Sequence, residues 1–123
     1  MGQKSHADTS WLIALFDPED PHHVKALRDF EELASPPSIS SLAFAELLVG
    51  FYSADFLTSI KELRAAFPSI NPLDTERAIL GAKLRSENKI TLTDALIIAS
   101  ALIEKSELLT FDKSMKAVYE RIK

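Results

Sequence analysis

The chain contains no cysteine, which excludes disulfides and thiolate-held metals and fits a reducing compartment. It has no long apolar run. The longest is the six residues Trp11-Leu12-Ile13-Ala14-Leu15-Phe16, far below the roughly 20 that a membrane-spanning helix needs. Nothing in it resembles a signal peptide, so the expected location is the cytoplasm, with no membrane partner. There is no basic excess either. With 14 basic against 18 acidic residues the net charge is −4, which argues against a constitutive coat for nucleic acid but tolerates a modest RNA contact. No repeat, low-complexity tract or linker interrupts the 123 residues, so one domain over 1–123 is expected.

Against these absences stand four acids in or at the end of the most apolar stretches. Asp8 precedes the run from Trp11 to Phe16. Glu46 lies inside Leu42-Ala43-Phe44-Ala45-Glu46-Leu47-Leu48-Val49. Asp94 separates Ile90-Thr91-Leu92-Thr93 from Ala95-Leu96-Ile97-Ile98-Ala99, and Asp112 ends Leu108-Leu109-Thr110-Phe111. A buried carboxylate is costly unless a cation or donor meets it, so four of them suggest a shared partner. Hard divalent ions such as Mg²⁺ and Mn²⁺ take oxygen ligands of this kind, which points to metal-dependent chemistry on phosphate esters. Without these four acids the net charge would be zero.

Turn and capping residues divide the chain. Ser10 is expected to cap a helix through about Phe16, and Asp20, with Pro21 behind it, a second helix to about Ala34. Ser38-Ile39-Ser40 reads as a strand, followed by an apolar helix from Ser41 to about Ser53. Asp55 opens a helix that Pro68 ends, and Ser69-Ile70-Asn71 reads as a strand. Asp74 caps a helix to about Glu87, and Thr93 one from Asp94 to Glu104. Glu107 to Phe111 is a strand and Lys113 to Arg121 a last helix. Short apolar strands alternating with helices predict an α/β domain with a parallel sheet, whose ligands gather beyond the carboxyl ends of the strands. Asp8 and Asp112 fall at strand-to-helix junctions on that edge, and Asp94 lies in a first helical turn, where the macrodipole favours an anion.

The phrases Asp8-Thr9-Ser10 with Leu12-Ile13-Ala14-Leu15, Ser41-Leu42-Ala43-Phe44-Ala45-Glu46-Leu47, Leu92-Thr93-Asp94-Ala95-Leu96-Ile97-Ile98-Ala99 and Leu108-Leu109-Thr110-Phe111-Asp112 resemble the PIN domain. In particular they resemble the VapC-like ribonuclease toxins of toxin–antitoxin pairs, over nearly the whole chain. The resemblance implies a three-layer α/β/α fold with a mainly parallel sheet and Mg²⁺- or Mn²⁺-dependent cleavage of RNA with one or two ions. It also implies a homodimer and a cognate antitoxin protein. Carried over, Asp8 is the central metal ligand, Glu46 and Asp94 complete the site, and Asp112 holds a second metal or orients the attacking water. Ser10 and Thr110 become hydroxyls that position a carboxylate or phosphate. One departure concerns the start, which reads Gly2-Gln3-Lys4-Ser5-His6-Ala7 where the family's first strand is normally apolar; the length of that strand is left open.

Other residues have blander readings. His22 and His23 are expected at an exposed helix start without partners, and His6 is expected not to be a ligand. Trp11 is read as core. Phe51, Tyr52 and Phe56 are candidates for core or for a partner strip, and Lys113 and Lys116 for an RNA phosphate contact or a solvated face. Two rival functions fit the residues less well. A phospho-acceptor receiver needs paired acids after its first strand, but Asp8 is single, Asp55 follows a helix and Lys105 ends one. A catalytically idle PIN-fold binding module is disfavoured by the presence of all four acids.

Overall fold

A computed structural model describes residues 3–52 and 55–123. It has four parallel strands, β1 (Ser5–Ala7), β2 (Ser38–Ser40), β3 (Ile70–Asn71) and β4 (Glu107–Leu109), in the order β3-β2-β1-β4. Between and after them run α1 (Thr9–Phe16), α2 (His23–Glu32), α3 (Ser41–Gly50), α4 (Phe56–Ala66), α5 (Thr75–Glu87), α6 (Leu92–Glu104) and α7 (Lys113–Ile122). The expected α/β/α layering is the observed one.

Side chains alternate across the short strands, and that alternation builds two cores. Ala7 and Ile39 turn to one face and join Trp11, Leu12, Ala26, Leu47, Leu63 and Phe67 from α1, α2, α3 and the end of α4. Leu108 turns to the other and joins Leu84, Ile97, Ile98, Met115 and Val118 from α5, α6 and α7. Trp11 is core, as its apolar neighbours suggested. Gly81 lets α5 approach α6 closely: a Cβ there would lie 2.5 Å from a Leu96 methyl.

Local chemistry explains the helix starts. Asp8, Ser40, Asp55, Asp74, Thr91 and Asp112 each accept a backbone N–H from the first turn of α1, α3, α4, α5, α6 and α7. Three sequence expectations are corrected here. Asp8, not Ser10, caps α1, which frees the Ser10 hydroxyl for other partners. Thr91, not Thr93, caps α6, so that Asp94 sits three positions inside the cap. Asp20 does not cap α2 directly: it accepts the His22 N–H in a turn, and the helix starts one residue later. The strand after Ser106 stops at Leu109 rather than Phe111, and α3 ends at Gly50. The expected boundary at Ser53 lies outside the described residues.

β1 is central although only three residues long, and its polar Ser5 and His6 are buried. The chain reverses its order of strand addition between β1 and β4, which makes their carboxyl ends the topological switch point.

Candidate functional site

Asp8 leaves β1 at this switch point, where its backbone N–H donates to Leu109 O at 3.0 Å. Its carboxylate is only 2% exposed and is held by neutral donors. The Trp11 N–H donates at 2.9 Å, the Ser10 hydroxyl at 2.8 Å and the Thr110 hydroxyl across the sheet to the other oxygen. The two hydroxyls in turn accept backbone N–H groups, Ser10 from Phe111 at 3.1 Å and Thr110 from Asp112 at 2.9 Å. Ser10 and Thr110 therefore tie the start of α1 to the loop before α7. Burial raises the Asp8 pKa, these hydrogen bonds oppose the rise, and the charge of Asp112 adds to it.

Asp94 enters from α6. Burial raises its pKa, the Thr91 hydroxyl opposes, and the charges of Asp112, Asp8 and Glu46 all push it further up. The other three acids predicted from the sequence thus all bear on Asp94 at one end of the sheet. Their burial differs from the expectation. Asp8 is buried, Asp94 and Asp112 are half-buried and Glu46 is exposed. Glu46 projects from α3, where Ala43 and Leu47 face the core while it does not, and it accepts a 2.6 Å hydrogen bond from the Thr9 hydroxyl. Thr9 was quoted in the Asp-Thr-Ser phrase without a role; its place beside Asp8 was the available signal.

Asp94 and Asp112 share a cavity of about 480 Å³ lined also by Arg85, Lys89, Ile90, Thr91 and Ser114. Neither Arg85 nor Lys89 was singled out in the sequence, because a cation in a polar helix end or loop carries no local signal of the acids that the fold brings near it. Lys113 is exposed and Lys116 lines a different groove, along β4. The two histidines at the α2 start do have partners: the His22 ring stacks on Phe111 at 4.4 Å, and a His23 ring nitrogen meets Ala14 O at 2.7 Å. His6 is buried in β1, with a ring nitrogen 2.7 Å from the Ser38 hydroxyl.

As these side chains stand, no three His, Asp or Glu among the described residues are close enough together to hold one ion. The donor set nonetheless fits a hydrated Mg²⁺ or Mn²⁺, which takes one or two carboxylates and keeps several waters. Asp94 and Asp112 face one cavity, and Asp8 keeps one of its roughly four lone-pair directions free of the donors named above.

A family model described as "PIN domain" matches residues 7–121, and the chain belongs to that family. A toxin–antitoxin complex from Klebsiella pneumoniae has a chain 27% identical, with a TM-score of 0.78 over 90% of this chain and 89% of that one. VapC20 of Mycobacterium tuberculosis, described as a sarcin–ricin-loop-cleaving toxin, has 15% identity and a TM-score of 0.77 over 93% and 94%. FitAcB from Neisseria gonorrhoeae has 21% identity and a TM-score of 0.73 over 94% and 93%. The last two likenesses concern the fold. No curated protein matches the sequence. No helix among the described residues is long and apolar enough to cross a membrane.

Proposed function

We propose that this PIN-domain protein is a divalent-metal-dependent endoribonuclease, the toxin of a toxin–antitoxin pair. The observation that carries the reading is the crowding at Asp94, which shares a cavity with Asp112 and whose pKa is raised by burial and by the charges of Asp112, Asp8 and Glu46. Uncompensated charge of this kind suits a site whose counter-charge arrives with Mg²⁺ or Mn²⁺. The similarity to toxin–antitoxin proteins supports the biological setting.

Asp94, Asp112 and Asp8 would hold the ion or ions, with Glu46 completing the acidic rim. Bound there, a divalent ion would supply a lowered pKa for nearby water and a counter-charge for the phosphate. The chain's own residues do the positioning. Ser10 and Thr110 fix both oxygens of Asp8, so its carboxylate cannot swing away as substrate enters. Asp112, held by its cap on α7, orients the attacking water. Hydrolysis then joins the water oxygen to phosphorus, breaks the bond to one bridging ester oxygen and returns a proton to the leaving oxygen. No side-chain nucleophile is needed.

The proposal includes a homodimer and an antitoxin. It is supported by an apolar groove of about 470 Å³ lined by Ala45, Leu48, Val49, Tyr52 and Phe56, with Tyr52 and Val49 at 70% and 77% exposure. Phe51 instead packs edge-to-face on Phe16 at 5.8 Å, against the core. Light scattering at high micromolar concentration tests the dimer, and a monomer there removes it. For the activity, 5′ ends of cellular RNA are mapped after induction. New ends in the parent and none with Asp94→Asn are expected; cleavage that persists in excess EDTA contradicts the metal mechanism.

A further inference from the structure

We propose that the cavity between α5, α6 and α7 is a phosphate subsite, in which Arg85 and Lys89 hold a backbone phosphodiester of the RNA strand beside the one being cut. The inference rests on the ribonuclease reading and adds the direction in which the strand leaves the acids.

The cavity has two chemically different walls. Asp94 and Asp112 form one; Arg85, from the last turn of α5, and Lys89, from the loop leading to Thr91, form the other. Both cations are exposed, and among the described residues neither makes an ion pair or a side-chain hydrogen bond. Arg77 on the same helix is by contrast committed to Asp74 and Glu104. Two helix N-termini, of the 13-residue α6 and the 10-residue α7, open on the cavity and add partial positive charge. Asp112 caps α7 through the Met115 N–H, so the earlier amides of that turn and the Ser114 hydroxyl remain as donors. Arg85 and Lys89 therefore share one cavity with the acids, and the helix starts that carry those acids supply further anion donors beside them.

A phosphodiester fits that position. Arg85 and Lys89 would take its non-bridging oxygens, while the neighbouring phosphate lies over Asp94 and Asp112. The groove along β4 is less suited, because its Lys25 and Lys116 are set among Asp29, Glu32 and Glu107. Lys113 lines neither cavity.

The test uses the RNA that the parent cuts. In an Asp94→Asn background, which silences cleavage, binding of that RNA is followed by fluorescence across a salt series, with and without Arg85→Gln and Lys89→Gln. Each removed cation should lower the slope of log Kd against log salt by about 0.7, with affinity down about tenfold for the pair at low salt. In the cleavage-competent chain the same pair should raise KM and leave kcat within about twofold, with melting unchanged. The charge-matched pair Lys113→Gln and Lys116→Gln should have the smaller effect on both slope and KM. An unchanged slope and KM for the Arg85 and Lys89 pair overturns the subsite while leaving the nuclease reading intact, as does a larger effect from Lys113 and Lys116. A parent that cuts no RNA with Mg²⁺ or Mn²⁺ sinks the nuclease reading itself.

Discussion

The two ends of α6 carry acids of opposite fate. Asp94 stands in its first turn; Glu104 ends it ten residues later, about 15 Å along the axis. Around Glu104 the chain supplies every partner a carboxylate needs. Ser38 donates at 2.7 Å and Asn71 at 2.6 Å, Arg77 lies at 3.4 Å and a His6 ring nitrogen at 3.6 Å. Burial works against its charge, but the hydrogen bonds of His6, Ser38 and Asn71 and the charge of His6 outweigh it, and the pKa falls to about 2. At Asp94 burial is joined by three like charges and opposed by one hydroxyl, and the pKa rises. One protein thus balances a carboxylate completely at one end of a helix and leaves another unbalanced at the other. The balanced end holds the fold; the unbalanced end has charge left for something that binds.

The largest effect that separates the two ends is catalytic. Asp94→Asn should lower RNA cleavage by more than about a hundredfold, while Glu104→Gln leaves it unchanged; equal losses in a cleavage assay would erase the distinction. Stability should divide the other way. Glu104→Gln should cost on the order of 2 kcal/mol at neutral pH by chemical denaturation, discounted for the partial exposure of the group. The sign follows from the depressed pKa. Its contribution is complete above the unfolded value near 4.5 and is lost as pH falls towards about 2. Between those values the parent should lose stability more steeply than the variant, and parallel curves would show that Glu104 is not the titrating group. The smallest effect concerns Lys105, whose φ of 56° is the one positive value at a non-glycine residue among those described. Lys105→Gly should gain about 0.5–1 kcal/mol by removing left-handed strain. It leaves both acid centres intact, so any change in cleavage would be unexpected.

How far each end was legible follows from where its partners lie in the chain. The acids of the proposed catalytic edge each interrupt or end an apolar phrase, and the α/β alternation places strand ends together, so the positions of Asp8, Asp94 and Asp112 were readable one by one. Glu46 was readable as a motif position but not as an exposed one, because apolar flanks do not reveal which face of α3 a residue takes. The Glu104 cluster was not legible. Its members come from β1, β2, β3, α5 and α6, and only the fold brings them together. Its one sequence signal was negative: Ser5 and His6 stand where an apolar strand was expected, and they are tolerated in a central strand because Ser38 and Glu104 meet His6. Helix caps were misjudged by one or two positions wherever two candidates stood close, as with Asp8 against Ser10 and Thr91 against Thr93.

The most direct measurement of the central claim, that the acids around Asp94 share an absent counter-charge, is the melting temperature of the parent and of Asp94→Asn in EDTA and in Mg²⁺ or Mn²⁺. The raised pKa means that the folded state disfavours the charged form of Asp94 at neutral pH, so its amide should melt at or above the parent in EDTA. Metal should then stabilise the parent by about 2.7 kcal/mol at a hundredfold excess over Kd, a rise on the order of 10 °C, and the variant by clearly less. A variant that melts well below the parent in EDTA, or that gains as much from metal, would mean that Asp94 serves α6 as a structural acid and that the unbalanced charge is not a metal site.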